Sequence, residues 1–235
     1  QQGVAEEPQA EQQPVLEPGK EEQPTPIPVS EQESSVPLLG IDSDQDGLTD
    51  VEERLFSTNA QSSDTDGDTF VDGDEIKNLY DPSRGEQNRL DVSGLVNTHT
   101  NQTFEYSLLY PSSWPTQSTD RSDREVMITS STGEFFTITV FENPNKLSPV
   151  DWYARLQQSE SDTSRLQSFT YDTWSGLMSE DSLKVYLNRN GGDPAKQSVM
   201  YVLEYHLNTK KELNFITTMQ MMLKSFVFTD LSFVR

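Results

Sequence analysis

Two Asp-rich segments recur 22 residues apart, and their pattern limits what this part of the chain can fold into. The first runs from Asp42 to Glu53 and reads D-x-D-x-D-G-x-x-D-x-x-E, and the second runs from Asp64 to Glu75. This spacing lets one tight turn direct oxygen atoms towards a common centre, and Ca²⁺ takes about six to eight oxygen ligands. The segments therefore predict two calcium-binding loops that hold about two ions.

The spacing also predicts which groups bind the ion in each loop. In the first loop the expected ligands are the side chains of Asp42, Asp44 and Asp46, the carbonyl of Leu48, Asp50 directly or through water, and both carboxylate oxygens of Glu53. In the second loop they are Asp64, Asp66, Asp68, the carbonyl of Phe70, Asp72 and Glu75.

The two loops differ at the sixth position, where the chain turns sharply and a positive φ is expected. Gly47 stands there in the first loop, and Thr69 stands there in the second. A β-branched residue with positive φ is strained by about 1–2 kcal/mol. Gly67 and Gly73 are the residues that could redistribute this turn. We expect the second site to be the weaker or more distorted one.

Acidic residues are concentrated in the same region. Residues 41–86 contain 14 acidic and three basic residues, and thus carry half of the net charge of −22. Carboxylates at this density repel one another unless cations neutralise them, and they also repel nucleic acid and anionic lipid. A metal cation is therefore the expected partner, and nucleic acid is not.

The gap between the loops excludes a paired EF-hand. Only ten residues, Arg54 to Ser63, separate them, which is too few for two full helices. Each loop should instead lead into one short helix, at about Val51–Phe56 and Glu75–Leu79. This region has no Met, whereas calcium sensors expose a Met-rich groove, so a structural role for calcium is favoured over a regulatory one.

The sequence of residues 41–86 resembles bacterial thrombospondin type 3 repeats. The resemblance rests on DSDQDGLTDVEERLF from Asp42 and DTDGDTFVDGDEIKNLYDP from Asp64. It implies a secreted or cell-surface protein in which calcium replaces a hydrophobic core, with the ligands named above. A module with so few apolar residues should be loose without its metal, because metal binding then supplies the folding energy.

Composition predicts three segments. Residues 1–38 are rich in Pro, Glu and Gln and are expected to form a disordered linker or tether. Residues 39–88 hold the calcium repeats, and residues 89–235 have the composition of a globular domain. The chain lacks Cys and any apolar stretch long enough for a membrane helix, and its start at Gln1 suggests a removed signal peptide or an upstream anchor.

Hydrophobic patterns in residues 89–235 predict an α+β domain on an antiparallel sheet. The expected strands are 104–108, 126–129, 135–141, 183–187, 199–207 and 226–228. The expected helices follow Ser148, with Trp152, Tyr153 and Leu156 on one face, and cover about 215–223.

Residues 100–235 resemble PsbP-like domains. The resemblance rests on FEYSLLYPSSW from Phe104 and on LKSFVF from Leu223. It implies an α/β/α sandwich with a central antiparallel sheet, and a domain that acts in binding or assembly rather than catalysis. A protein or surface partner is expected for it.

No catalytic motif is present in the sequence, and His99 and His206 are the only histidines. Trp114, Trp152 and Trp174 are expected in the core. We therefore expect a non-catalytic, extracellular or cell-surface calcium protein. The alternative is a secreted hydrolase or carbohydrate-binding protein with a cleft in residues 100–235; its candidate carboxylates are Glu105, Glu125, Glu134 and Glu204.

Overall fold

A computed structural model describes residues 37–85, 88–119, 121–156, 166–171, 174–189 and 197–229. The chain divides into two units, residues 1–35 and 36–235, and every described residue belongs to the second. The predicted disordered linker lies outside the described residues, apart from its last two positions.

The described part of the chain contains four α-helices and twelve strands. The helices are α1 (Asp50–Phe56), α2 (Asp72–Asn78), α3 (Pro149–Leu156) and α4 (Ile216–Lys224). The strands are β1 (Leu38–Leu39), β2 (Val96–Asn101), β3 (Tyr106–Pro111), β4 (Thr116–Ser118), β5 (Glu125–Thr129), β6 (Phe135–Glu142), β7 (Gln167–Thr170), β8 (Trp174–Met178), β9 (Lys184–Arg189), β10 (Val199–His206), β11 (Glu212–Leu213) and β12 (Val227–Phe228).

Seven antiparallel strands form the central sheet, in the order β4-β5-β6-β10-β9-β8-β7. A second antiparallel sheet has the order β12-β3-β2, and β1 pairs in parallel with β11. The long hairpin predicted around residues 183–207 is present as β9 and β10, with Tyr201 opposite Leu187.

Alternate residues of the central strands point to opposite faces, and each face is covered by helix. On β10, Met200 and Val202 belong to a small apolar cluster with Trp152 and Tyr153 of α3. The intervening Tyr201 belongs to the main core, which also holds residues of α4 and of the second sheet. The predicted α+β sandwich with a central antiparallel sheet is therefore confirmed. Leu156, predicted on the same face of α3 as Trp152 and Tyr153, is 55% exposed, whereas those two residues are partly buried against the small cluster.

The two short helices of the loop region start where acidic or capping residues favour helix. Thr49 caps α1 in a capping box with Glu52, each side chain accepting from the other residue's backbone N–H. Helix α2 begins at Asp72, earlier than predicted, and has three acidic residues in its first turn, where the helix dipole favours negative charge.

Apolar residues of the loop region do not form a core of their own. Leu48, Phe56 and Ile76 are completely buried and belong to the same cluster as Phe215 and Met219 from the α4 region. Helix α2 packs against α4. The two loops are thus attached to one side of the sandwich, while the limits predicted for the two domains, 39–88 and 89–235, stay predictions.

Candidate metal centre

Backbone amides of the first loop hold its first and third aspartates. Asp42 accepts hydrogen bonds from the N–H groups of Gln45, at 2.8 Å, and Gly47, at 3.1 Å. Asp46 Oδ1 accepts one from the N–H of Leu48, at 2.7 Å. These bonds wrap the backbone around the carboxylates and leave the other oxygen of Asp46 for a different partner.

The second loop repeats this pattern. Asp64 accepts from the N–H groups of Gly67, at 2.8 Å, and Thr69, at 2.9 Å. Asp68 Oδ1 accepts from the N–H of Phe70, at 3.0 Å. The sequence repeat is therefore also a repeat of local structure, down to individual hydrogen bonds.

Both loops need two residues with positive φ, but they place glycine differently. The first loop has Gln45 at φ 63° and Gly47 at φ 93°, and the second has Gly67 at φ 80° and Thr69 at φ 84°. Thr69 therefore adopts the positive φ predicted for the sixth position. The positive φ of Gly67 occurs in addition to that of Thr69 and does not replace it. The resulting strain at a β-branched residue is on the order of 1–2 kcal/mol.

The structure brings most of the predicted ligands into three groups whose carboxylate oxygens lie within 4.8 Å of one another. The groups are Asp42, Asp44 and Asp46; Asp64, Asp66 and Asp68; and Asp46, Glu53 and Asp72. The first two groups match the predicted loops. The third was not predicted, because it joins a residue of the second loop to two residues of the first.

Several carboxylate oxygens of the predicted ligands, including those of Glu75 outside the three groups, are buried and accept no hydrogen bond from any described residue. They are both oxygens of Asp44, Glu53 and Glu75 and one oxygen each of Asp46 and Asp66. Glu53 is 1% exposed and Glu75 is 3% exposed. A buried carboxylate without a partner is costly, so such groups are normally paired or bound to a metal ion. These oxygens fit a divalent cation with a preference for oxygen ligands.

The raised pKa values of three of these carboxyl groups also favour a bound cation. Burial, together with the charges of Asp44 and Asp46, raises the pKa of Glu53 to about 7. Burial raises the pKa of Glu75 to about 8, with added repulsion from Asp68 and Asp66. Burial likewise raises the pKa of Asp46 to about 6. Without a cation these acids thus resist ionisation, which a bound cation would reverse.

Asp50 and Asp72, at the ninth position of each loop, each accept two hydrogen bonds from a residue of their own loop. Asp50 accepts from the backbone N–H of Ser43, at 3.1 Å, and from its hydroxyl, at 3.0 Å. Asp72 accepts in the same way from Thr65, at 2.9 and 2.6 Å. Both carboxylates therefore close their loops from within, and Asp50 belongs to none of the three groups.

The two residues predicted to bind through their carbonyls differ in their side chains. Leu48 is fully buried in the main core, whereas the side chain of Phe70 is 46% exposed. The first loop is therefore anchored by its own apolar residue and the second is not. The carbonyl ligands themselves stay predictions.

Asp81 is an acidic residue near the second loop that the spacing rule did not select. It is 1% exposed, and Oδ1 accepts from the N–H and the hydroxyl of Ser83. Its negative charge also contributes to the raised pKa of Asp66, after the larger effects of burial and of the charges of Asp68 and Asp64. Asp81 lies six positions after the end of the loop pattern, so only its position in the fold reveals it.

Three hydrogen bonds fasten the first loop to the start of α4. Glu52 Oε1 accepts from the backbone N–H of Thr218, at 2.7 Å, and from its hydroxyl, at 2.9 Å. The hydroxyl of Thr217 donates to the carbonyl of Gly47, at 2.5 Å. Burial raises the pKa of Glu52 to about 7, although these hydrogen bonds favour its charged form.

A buried polar network continues from this contact into the central sheet. The hydroxyl of Thr49 donates to the carbonyl of Asn214, at 2.7 Å. Asn214 in turn donates from its backbone and side chain to Glu134, which is fully buried and also accepts from the hydroxyl of Tyr205 on β10. Polar groups thus connect the loop region to the interior of the sheet.

The carboxylates considered for a hydrolytic cleft are held by different partners. Glu105 pairs with Arg189, and Glu204 pairs with Lys184. Glu134 lies in the buried network, and Glu125 accepts from the hydroxyls of Thr119 and Thr139.

The histidines are also separate from the loops, with His99 on β2 and His206 on β10, and burial lowers the pKa of both. Trp114 and Trp174 are core residues, as predicted.

No helix in the described part of the chain is long and apolar enough to cross a membrane. No protein-family model matches the chain, and no curated protein matches it.

Some solved structures are similar. PsbP from the cyanobacterium Synechocystis sp. PCC 6803 has a TM-score of 0.38 and 12% identity, over 57% of this chain and 93% of that one. The Ran-binding protein Mog1p of Saccharomyces cerevisiae has a TM-score of 0.36 and 14% identity, over 58% of this chain and 97% of that one. A Bacteroides thetaiotaomicron protein has a TM-score of 0.36 and 10% identity, over 58% of this chain and 50% of that one. These similarities concern the fold alone.

Proposed function

We propose that this chain is a calcium-binding, non-catalytic protein of the cell surface or extracellular space. Two calcium ions hold the loop region rigid against the sheet domain, and that domain binds a protein or surface partner. One observation carries the proposal: Glu53 and Glu75 are buried with all four carboxylate oxygens unpartnered among the described residues. Each stands at the position where a calcium loop has its bidentate glutamate.

The choice of calcium follows from the ligand atoms. Both loops offer carboxylate oxygens at a spacing that suits a large, flexible coordination shell. Zinc and other transition metals favour nitrogen or sulfur ligands, but the chain has no Cys and both histidines lie outside the loops. Magnesium needs a smaller octahedral shell and usually keeps several of its waters. A set of buried carboxylates leaves little room for those waters.

The proposed location rests on the resemblance of residues 41–86 to thrombospondin type 3 repeats, which are typical of secreted and surface proteins. A structural site filled by calcium alone also suits a compartment in which calcium is plentiful. In this proposal the Pro-rich amino-terminal segment is a tether, and the calcium loops form the rigid connection between the tether and the sheet domain.

The proposal for the sheet domain is binding rather than catalysis. The four carboxylates that could have formed a hydrolytic cleft are each engaged by a different group, which supports this choice. The resemblance to PsbP-like domains points the same way, since such domains usually act in binding or assembly.

The direct test is calorimetric titration of the intact chain with calcium and, separately, with magnesium. The proposal expects two calcium sites, of which the first is tighter, and much weaker binding of magnesium. Asp42→Ala should remove the first site and Asp64→Ala the second, while Asp151→Ala, on α3, serves as the matched control and should leave both. Absence of calcium binding at millimolar concentration would overturn the proposal.

A further inference from the structure

Asp72 belongs to the second loop by sequence but lies beside the first loop in space. Its carboxylate shares a group with those of Asp46 and Glu53, with one oxygen of each within 4.8 Å of the others. Asp46 is 6% exposed, Glu53 is 1% exposed and Asp72 is fully buried. Three carboxylates this close and this deeply buried repel one another strongly unless a cation lies among them.

The two first-loop members of this group lack partners. Both oxygens of Glu53 and Oδ2 of Asp46 accept no hydrogen bond from the residues that the structure describes. Asp72 is held in place by the N–H and the hydroxyl of Thr65. A carboxylate has about four lone-pair sites, so Asp72 keeps acceptor capacity for a metal ion. The group thus combines free oxygens with one carboxylate that the second loop positions.

The backbones of the two loops also meet at this point. A Cβ atom on Gly73 would lie 2.3 Å from the carbonyl oxygen of Asp46, so only glycine fits there. This contact fixes the start of α2 against the turn of the first loop. Asp50, the equivalent of Asp72 in the first loop, belongs to none of the groups.

We infer that Asp72 is a ligand of the first calcium ion and that the two calcium sites therefore fill cooperatively. This inference rests on the proposed function. Thr65 lies between Asp64 and Asp66, so filling the second site orders the residue that holds Asp72. Asp72 is then in place for the first site, and binding there costs less ordering. By linkage, the first ion must favour the second by the same factor.

The test uses a chain with only the first site intact. Asp64→Ala removes the leading ligand of the second loop, and calcium calorimetry then follows the remaining site. Adding Asp72→Asn should weaken that site at least about tenfold. The matched control is Asp74→Asn in the same background, since this neighbouring carboxylate is 62% exposed and should change the affinity less than about twofold.

A second variant covers the case in which Asp72→Asn fails to fold. Thr65→Val, in the Asp64→Ala background, removes the hydroxyl that donates to Asp72 but leaves every carboxylate in place. It should weaken the first site several-fold, while Asp74→Asn in the same background again serves as the control. The first site should bind calcium more tightly in the wild type than in the Asp64→Ala variant, because the filled second site holds Asp72 in place.

The outcomes separate this inference from the proposed function. If the wild type binds two calcium ions and neither Asp72→Asn nor Thr65→Val changes the remaining site by more than about twofold, the inference is wrong and the proposed function stands. If the wild type binds no calcium, the proposed function fails and the inference fails with it.

Discussion

Glu52, on the first short helix, accepts two hydrogen bonds from Thr218 at the start of α4, one from its backbone N–H and one from its hydroxyl. The N-cap residue of α4, Phe215, offers no side-chain cap, so Glu52 satisfies a helix N–H that α4 cannot satisfy itself. The charge also interacts favourably with the helix dipole. An acidic residue of the loop region therefore stabilises the sheet domain without being a metal ligand.

This relationship predicts the effect of Glu52→Gln. The amide would direct N–H groups at the donors of Thr218 or Thr49, and one of them would lose its acceptor. The free energy of unfolding, measured by urea titration in saturating calcium, should fall by about 1–3 kcal/mol. Asp74→Asn on the exposed face of α2 is the control and should change it by less than about 0.5 kcal/mol. An equally small effect at Glu52 would refute the capping role.

The positive φ at Thr69 predicts that glycine is better at this position. Thr69→Gly should relieve strain and raise the affinity of the second site by about 1 kcal/mol, or roughly fivefold, in calcium calorimetry. The mirror variant Gly47→Ala should weaken the first site, because alanine at φ 93° is strained. If Thr69→Gly lowers the affinity of the second site, strain is not what limits that site.

The effect of Glu53→Gln on thermal stability should depend on calcium. Glu53→Gln removes one charge from a buried, unpartnered carboxylate, so in chelator it should leave Tm unchanged or raise it. In saturating calcium the same change removes a bidentate ligand and should lower Tm by several degrees, because less binding energy is coupled to folding. The measurement is thermal unfolding under both conditions. A decrease of equal size with and without calcium would mean that Glu53 acts only through packing.

The repeat in the sequence is matched by a repeat of local geometry in the two loops, while calcium binding by them stays a prediction. The D-x-D-x-D spacing that the two loops share determines which amides reach Asp42 and Asp64, and the same two positions donate in each loop. The long strands and α4 were predicted correctly, since their apolar residues alternate or recur at helical spacing. Short and polar strands, such as β2 with the sequence VNTHTN, have no such pattern and were missed.

What the sequence could not predict is how distant segments meet. Nothing in the spacing of Asp72 places it beside Glu53, since that contact depends on the close approach of Gly73 to Asp46. The pairing of Glu52 with Thr218 likewise joins residues 166 positions apart. The same limitation explains why calcium is expected from the resemblance to replace a hydrophobic core in the loop region, whereas Phe56 and Ile76 lie in the core of the sandwich.

We propose that calcium organises residues 42–75 and, through Glu52, the start of α4. The most direct test is amide hydrogen exchange of the intact chain in millimolar calcium and in chelator. We predict strong protection in α1, α2 and the N–H of Thr218 with calcium, and loss of that protection in chelator while β6 and β10 stay protected. Equal protection of the loop helices under both conditions would contradict the account.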